Sequence, residues 1–157
     1  MIHSGNNLTR PWQIDHIGFS HLKKNARFIV QKAELEAAFN PHPIQLASYR
    51  DRSVFENLNF EVIEGDVQLV DGIRLLFTPG HTQGTQSVMV NTEKGKAIIA
   101  GMRSIRENFK PPEAVKKFMP VIATGIHLDA RQSFDSLLRV KEAAALSSRP
   151  TTLSSPL

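Results

Sequence analysis

Asp71-Gly72-Ile73-Arg74-Leu75-Leu76-Phe77-Thr78-Pro79-Gly80-His81-Thr82-Gln83-Gly84 is the stretch on which the reading of this fold turns. Ile73, Leu75 and Phe77 alternate with the residues between them, the period of a strand with one buried face. Val67 and Leu69 alternate likewise on the other side of Asp71-Gly72. That dipeptide predicts a hairpin with a type I′ turn, in which both central residues need positive φ. The second strand then runs straight into Pro79-Gly80, which forces a sharp turn and leaves His81 at the end of a sheet. An imidazole held there can coordinate a metal with little reorganisation. Taken alone, a loop histidine that hydrogen-bonds its own turn is the commoner case.

Working outward, Phe60–Ile63, Gln86–Val90 and Ala97–Ala100 read as further strands, the last two joined by the polar turn 91–95. Upstream, Ala26–Val30 is β-branched and aromatic and predicts a strand. Gln31–Phe39 is rich in helix formers and ends at Asn40-Pro41. A short helix is expected around Tyr49–Phe55. Downstream, Asp129 caps an expected helix from Ala130 to about Leu146, with Phe134, Leu137, Leu138 and Val140 on its apolar face. Ser147 onward is a Ser/Thr/Pro tail too polar to build a core, so residues 147–157 are expected to be disordered. Without internal repeats, strands with interspersed helices predict one layered α/β (α+β) domain over residues 1–146.

Composition narrows the function classes. The chain has 157 residues, 41% hydrophobic and 22% charged, the profile of an ordinary globular protein. It has no cysteine, so a metal would need nitrogen and oxygen ligands from the six histidines and the carboxylates. No run approaches a membrane span, and Met1–Trp12 lacks the pattern of a signal peptide. A cytoplasmic protein without membrane contact is the expectation. The charge is uneven: residues 1–92 carry 8 basic against 9 acidic side chains, residues 93–157 carry 11 against 6. The bases are scattered and lack interleaved aromatics, so nucleic-acid binding is not expected. Homo-oligomerisation stays open.

Asp15-His16 in Ile14-Asp15-His16-Ile17-Gly18 is the second candidate site. On an irregular loop both side chains can bend toward one ion, whereas on a strand they would diverge. A capping aspartate beside an exposed histidine is the plainer alternative. Together, Asp15-His16-Ile17-Gly18 and the run from Gly65-Asp66 through Thr78-Pro79-Gly80-His81-Thr82-Gln83-Gly84 to Ser87 resemble the metallo-β-lactamase superfamily. The strands and helix that follow are similar to its N-acyl homoserine lactone lactonase branch. The resemblance spans roughly residues 8–146 and implies a partial αββα sandwich, mainly its C-terminal portion. It further implies one or two zinc ions, with His81 a ligand of the first and Asp15 and His16 ligands of the second. Asp15 would also be the catalytic residue that steers or accepts a proton. A metal-bound hydroxide is a strong nucleophile near neutral pH, so the implied reaction is hydrolysis of a small-molecule lactone, ester or related acyl bond, the chemistry of quorum quenching.

The chain departs from that pattern at defined places. The family's paired first-metal histidines fall on Pro11 and Gln13, or on Arg10 and Trp12 if shifted by one. The bridging aspartate falls on Met102, a non-ligand for such an ion. The last histidine falls in the Ser/Thr/Pro tail, and the tyrosine near the family's site has no counterpart, since the only tyrosine is Tyr49. His127 is the best spare ligand, ahead of His3 and His21, although a loop histidine capping the next helix is the commoner role. Both ends break abruptly from the pattern, and the N-terminal half of the fold is expected to be absent, as in a truncated or frame-altered product. Two readings follow: a metal-dependent hydrolase of the lactonase type, or a catalytically inactive remnant or partner-binding protein of the same fold.

Overall fold

The computed structural model describes residues 27–145. The upstream strand is β1, Phe28–Gln31, and it leads without a break into helix α1, Lys32–Phe39. Asn40-Pro41 ends that helix as expected, and Asn40 N–H donates back to the Glu36 carbonyl. The segment expected to form one helix around 49–55 divides instead into helix α2, Leu46–Tyr49, flanked by 3-10 turns at Pro43–Gln45 and Arg52–Val54. Asp51 and His42 cap those turns with side-chain acceptors, so short local bonds win over one continuous helix. Strand β2, Phe60–Ile63, pairs parallel with β1, Phe28 opposite Phe60 and Gln31 opposite Ile63.

Four further strands form an antiparallel sheet in sequence order: β3 Val67–Val70, β4 Ile73–Phe77, β5 Gln86–Thr92 and β6 Gly95–Ile99. The β3–β4 turn is not type I′. Gly72 has φ +78, but Asp71 has no positive φ, and the register shifts between Gln68 and Val70. One glycine supplies the left-handed residue and an irregularity in the strand absorbs the rest. β5 runs two residues further than its apolar alternation predicts, because Thr92 pairs with Gly95 across the next turn.

Helix α5, Ala130–Ala145, closes the fold. Asp129 caps it, its Oδ1 accepting from Arg131 N–H (2.8 Å) and Gln132 N–H (2.9 Å). Leu137 and Val140 are buried with Met102 and Val121, and Phe134, Leu138 and Ile98 pack around them. Ser133 and Ser136 are buried on the same face, which the apolar pattern did not anticipate. A second cluster joins Ala38, Tyr49 and Phe55 with Phe39, Leu58 and Phe60. Between β6 and α5 lie two helices not foreseen, α3 Arg106–Phe109 and α4 Glu113–Lys116. Asp66 bolts β4 to α5: it accepts from Phe77 N–H (2.9 Å) and pairs with Arg139 and Arg74. No helix among the described residues is long and apolar enough to cross a membrane. The tail, the first 26 residues of the expected domain, and with them Asp15, His16, His3 and His21, lie outside the described residues.

Candidate active site

His81 sits on the loop between β4 and β5, and that loop is held from three directions. At its base, Thr78 N–H donates to the Thr85 carbonyl (2.9 Å) and Thr78 Oγ1 meets Ser87 Oγ (2.9 Å). Toward α5, the Gly80 carbonyl accepts from Leu128 N–H (2.8 Å) and Asp129 N–H (3.1 Å), and Ser136 Oγ donates to the Pro79 carbonyl (2.7 Å). These contacts explain the buried serine of α5. They also explain Gly80, with φ +125, where a Cβ would lie 2.2 Å from Ser133 N.

From below, Glu34 of α1 reaches up into the loop. Its carboxylate is fully buried and accepts from Tyr49 Oη, Thr82 Oγ1 and Gly84 N–H, the last at 3.1 Å. Burial, followed by the Glu34 charge and hydrogen bond, raises the Tyr49 phenol above its ordinary pKa, with Thr82 opposing; the phenol therefore stays protonated and donates. Gly84 is required here as well, since a Cβ would lie 2.2 Å from Glu34 Cβ. Sequence reasoning passed over Glu34. The available signal was its place four residues before Ala38, on the same helix face as that buried alanine.

Above this network lies a cavity of about 380 Å³. Its lining includes His81, Thr82, Arg103 and His127 together with the apolar Ile44, Ile126 and Leu128. His81 Nδ1 lies 2.9 Å from the Ile126 carbonyl oxygen. A carbonyl only accepts, so in the neutral ring Nδ1 carries the proton and Nε2 the lone pair. His127 is arranged alike, its Nδ1 bonded to the Thr124 carbonyl. It lines the cavity rather than capping α5, a role that belongs to Asp129. Tyr49 lines the cavity as well, although the sequence offered no tyrosine for the site. Arg103 holds a left-handed backbone, φ +50, a conformation that costs a non-glycine residue about 1 kcal/mol and recurs at ligand sites.

The donors present do not make up the expected metal centre. Among the described residues no three histidine, aspartate or glutamate side chains come together as a metal site. Met102, where the resemblance places a bridging aspartate, is 1% exposed and packs with Val121 and Leu137. Apolar packing occupies the place of a ligand. His81 is the one member of the expected set within the described residues.

No protein-family model matches the chain. An N-acyl homoserine lactonase from a Bacillus species is 34% identical over 134 residues, covering 81% of this chain and 48% of that protein. The N-acyl homoserine lactonase of Bacillus cereus is 32% identical over 130 residues, 82% of this chain and 46% of the relative. Among solved structures, a variant of Bacillus thuringiensis AiiA with N-decanoyl-L-homoserine bound at its active site superposes with a TM-score of 0.58 at 30% identity, over 78% of this chain and 44% of that one. A probable metal-dependent hydrolase from Staphylococcus aureus, at 21% identity and TM-score 0.51, shares the fold. The chain thus spans about half the length of the curated relatives it matches.

Proposed function

Because this chain is related in sequence and fold to part of the N-acyl homoserine lactonases of the metallo-β-lactamase superfamily, we propose that it serves the hydrolysis of a lactone or similar acyl bond. One observation carries the reading. A histidine with its tautomer set by a backbone carbonyl lines a cavity that also presents Ile44, Ile126 and Leu128. A lactone with an acyl tail likewise joins a polar head to an apolar chain, and a few placed polar groups in an apolar pocket are the usual form of a small-molecule site. Ile44, Ile126 and Leu128 hold the tail and shed water around it. The head then meets Arg103 and the imidazole of His81.

Zinc belongs to the proposal through Asp15, His16 and His81, the set implied by the resemblance. The described residues alone do not fit such an ion. A cytoplasmic location belongs to the proposal too, resting on composition. Met102, buried where a ligand is expected, favours a second reading, a non-catalytic protein of the same fold.

Ring opening of an N-acyl homoserine lactone releases acid, which a pH indicator follows directly. Paired with the zinc content of the purified chain, it separates the two readings. The expected outcome is ring opening by the chain and a loss of about 100-fold or more in His81→Ala, the scale seen when a group acting on the reacting centre is removed. Equal rates for the two proteins refute the assignment of His81. No ring opening and no bound zinc leave the non-catalytic reading.

A further inference from the structure

We propose that Glu34 is a positioning residue for His81. His81 lies between two anchors. On one side, Gly80 is tied by its carbonyl to Leu128 N–H and Asp129 N–H. On the other, Thr82 and Gly84 are tied to the Glu34 carboxylate. The imidazole bridges from this loop to the Ile126 carbonyl at 2.9 Å. Such a bond weakens steeply with distance and angle, so it depends on the height at which the two anchors hold the loop.

The chemistry of the anchor is specific to a carboxylate. Tyr49 Oη, Thr82 Oγ1 and Gly84 N–H all donate into it. An ionised carboxylate has acceptors only, which matches a cage made of donors. Methionine has nearly the same length but no oxygen to accept from them, so all three bonds are lost. The outer side of the loop keeps its own hold, because Gln83 and Gln45 exchange amide hydrogen bonds at 3.0 and 3.2 Å. Loss of the carboxylate therefore loosens the loop without freeing it.

His127 supplies an internal control. Its Nδ1 is fixed on the Thr124 carbonyl, three residues away in sequence and not through the loop that Glu34 holds. A general loss of stability disturbs both rings, whereas loss of positioning disturbs His81 alone. The decisive measurement is ¹⁵N NMR of the histidine side chains of the full chain, at a pH of about 8.5 where imidazole is neutral. In the unaltered protein both rings read as the Nδ1–H tautomer. In Glu34→Met, His81 shifts to a mixture of tautomers while His127 keeps its own. Thr82→Val, which removes one donor and keeps the shape, produces the same change and decides the matter if Glu34→Met does not fold.

A single Nδ1–H tautomer for His81 in the folded Glu34→Met or Thr82→Val protein overturns the proposal. So does a parallel change in His127, which marks the role as structural only. This measurement does not depend on catalysis. A second arm rests on the lactone reading: kcat falls about tenfold or more in Thr82→Val with KM within about twofold, since small misplacements of a reacting group cost rate more than binding.

Discussion

Two walls of one cavity are built on different terms. The His81 loop between β4 and β5 is overdetermined: hydroxyls, backbone groups and a buried carboxylate meet within a few residues, and each buried side-chain polar atom has a partner. The second wall comes from the segment Gly101 to Leu128, which adds Arg103, Ile126, His127 and Leu128 to the lining; it has two helices of four residues each and exposes Ile105, Phe118, Ile126 and Leu128. One side chain organises much of it. Asn108 accepts from Ile105 N–H (2.7 Å) and donates to the Ile122 (3.0 Å) and Ala123 (3.3 Å) carbonyls. Lys141 of α5 adds bonds to the Phe109 and Pro120 carbonyls. The first wall is thus locally specified and tight, and the second is held by a few long-range clasps.

The sharpest way to break this contrast is Gly84→Ala. With no room beside Glu34, the added methyl forces the loop off α1, and overpacking of this kind costs about 3 kcal/mol. Urea denaturation measures it, and a loss below about 1 kcal/mol would show that the loop yields more readily than its contacts imply. Asn108→Ala comes next. It strands buried carbonyls and a backbone N–H of the second wall, for a loss of about 2 kcal/mol. A loss confined to local exchange protection, with the global midpoint unchanged, would show that this wall opens as a separate unit.

The Asp66 clasp between β4 and α5 has a pH signature. Burial pushes its carboxyl up, but the Phe77 N–H, Arg139 and Arg74 outweigh burial, and the net pKa falls below the ordinary value. A lowered folded-state value stabilises above the unfolded carboxylate range and loses that contribution as pH falls through the folded value. Between about pH 5 and pH 2, Asp66→Asn should therefore lose less stability than the unaltered chain. Parallel curves would remove Asp66 from the account. The smallest effect belongs to Gly125→Ala in the second wall. Nothing lies within 4 Å of the added Cβ and its φ is not left-handed, so the change should stay within about 0.5 kcal/mol.

What was legible follows the same division. The strand through Ile73, Leu75 and Phe77, the cap at Asp129 and the stop at Asn40-Pro41 are signals carried by neighbours in sequence, and the structure keeps them, although Leu76 is as buried as Leu75 and β4 is therefore covered on both faces. The type I′ turn failed because Asp71 avoids positive φ and the strand absorbs the mismatch. Helices α3 and α4 went unseen because each is a single turn: α3 is held by Asn108 and by α5, and α4 buries no residue of its own.

At the site, His81 was readable from a Pro-Gly turn placed at the end of a strand, and so was the likeness to the lactonases, because motif spacing survives in a linear string. Glu34, Tyr49 and the tautomer of His81 were not readable. Their roles arise from atoms 15 to 50 residues apart brought within hydrogen-bond reach. The strength of such bonds depends on distance and angle, which only the packed chain sets.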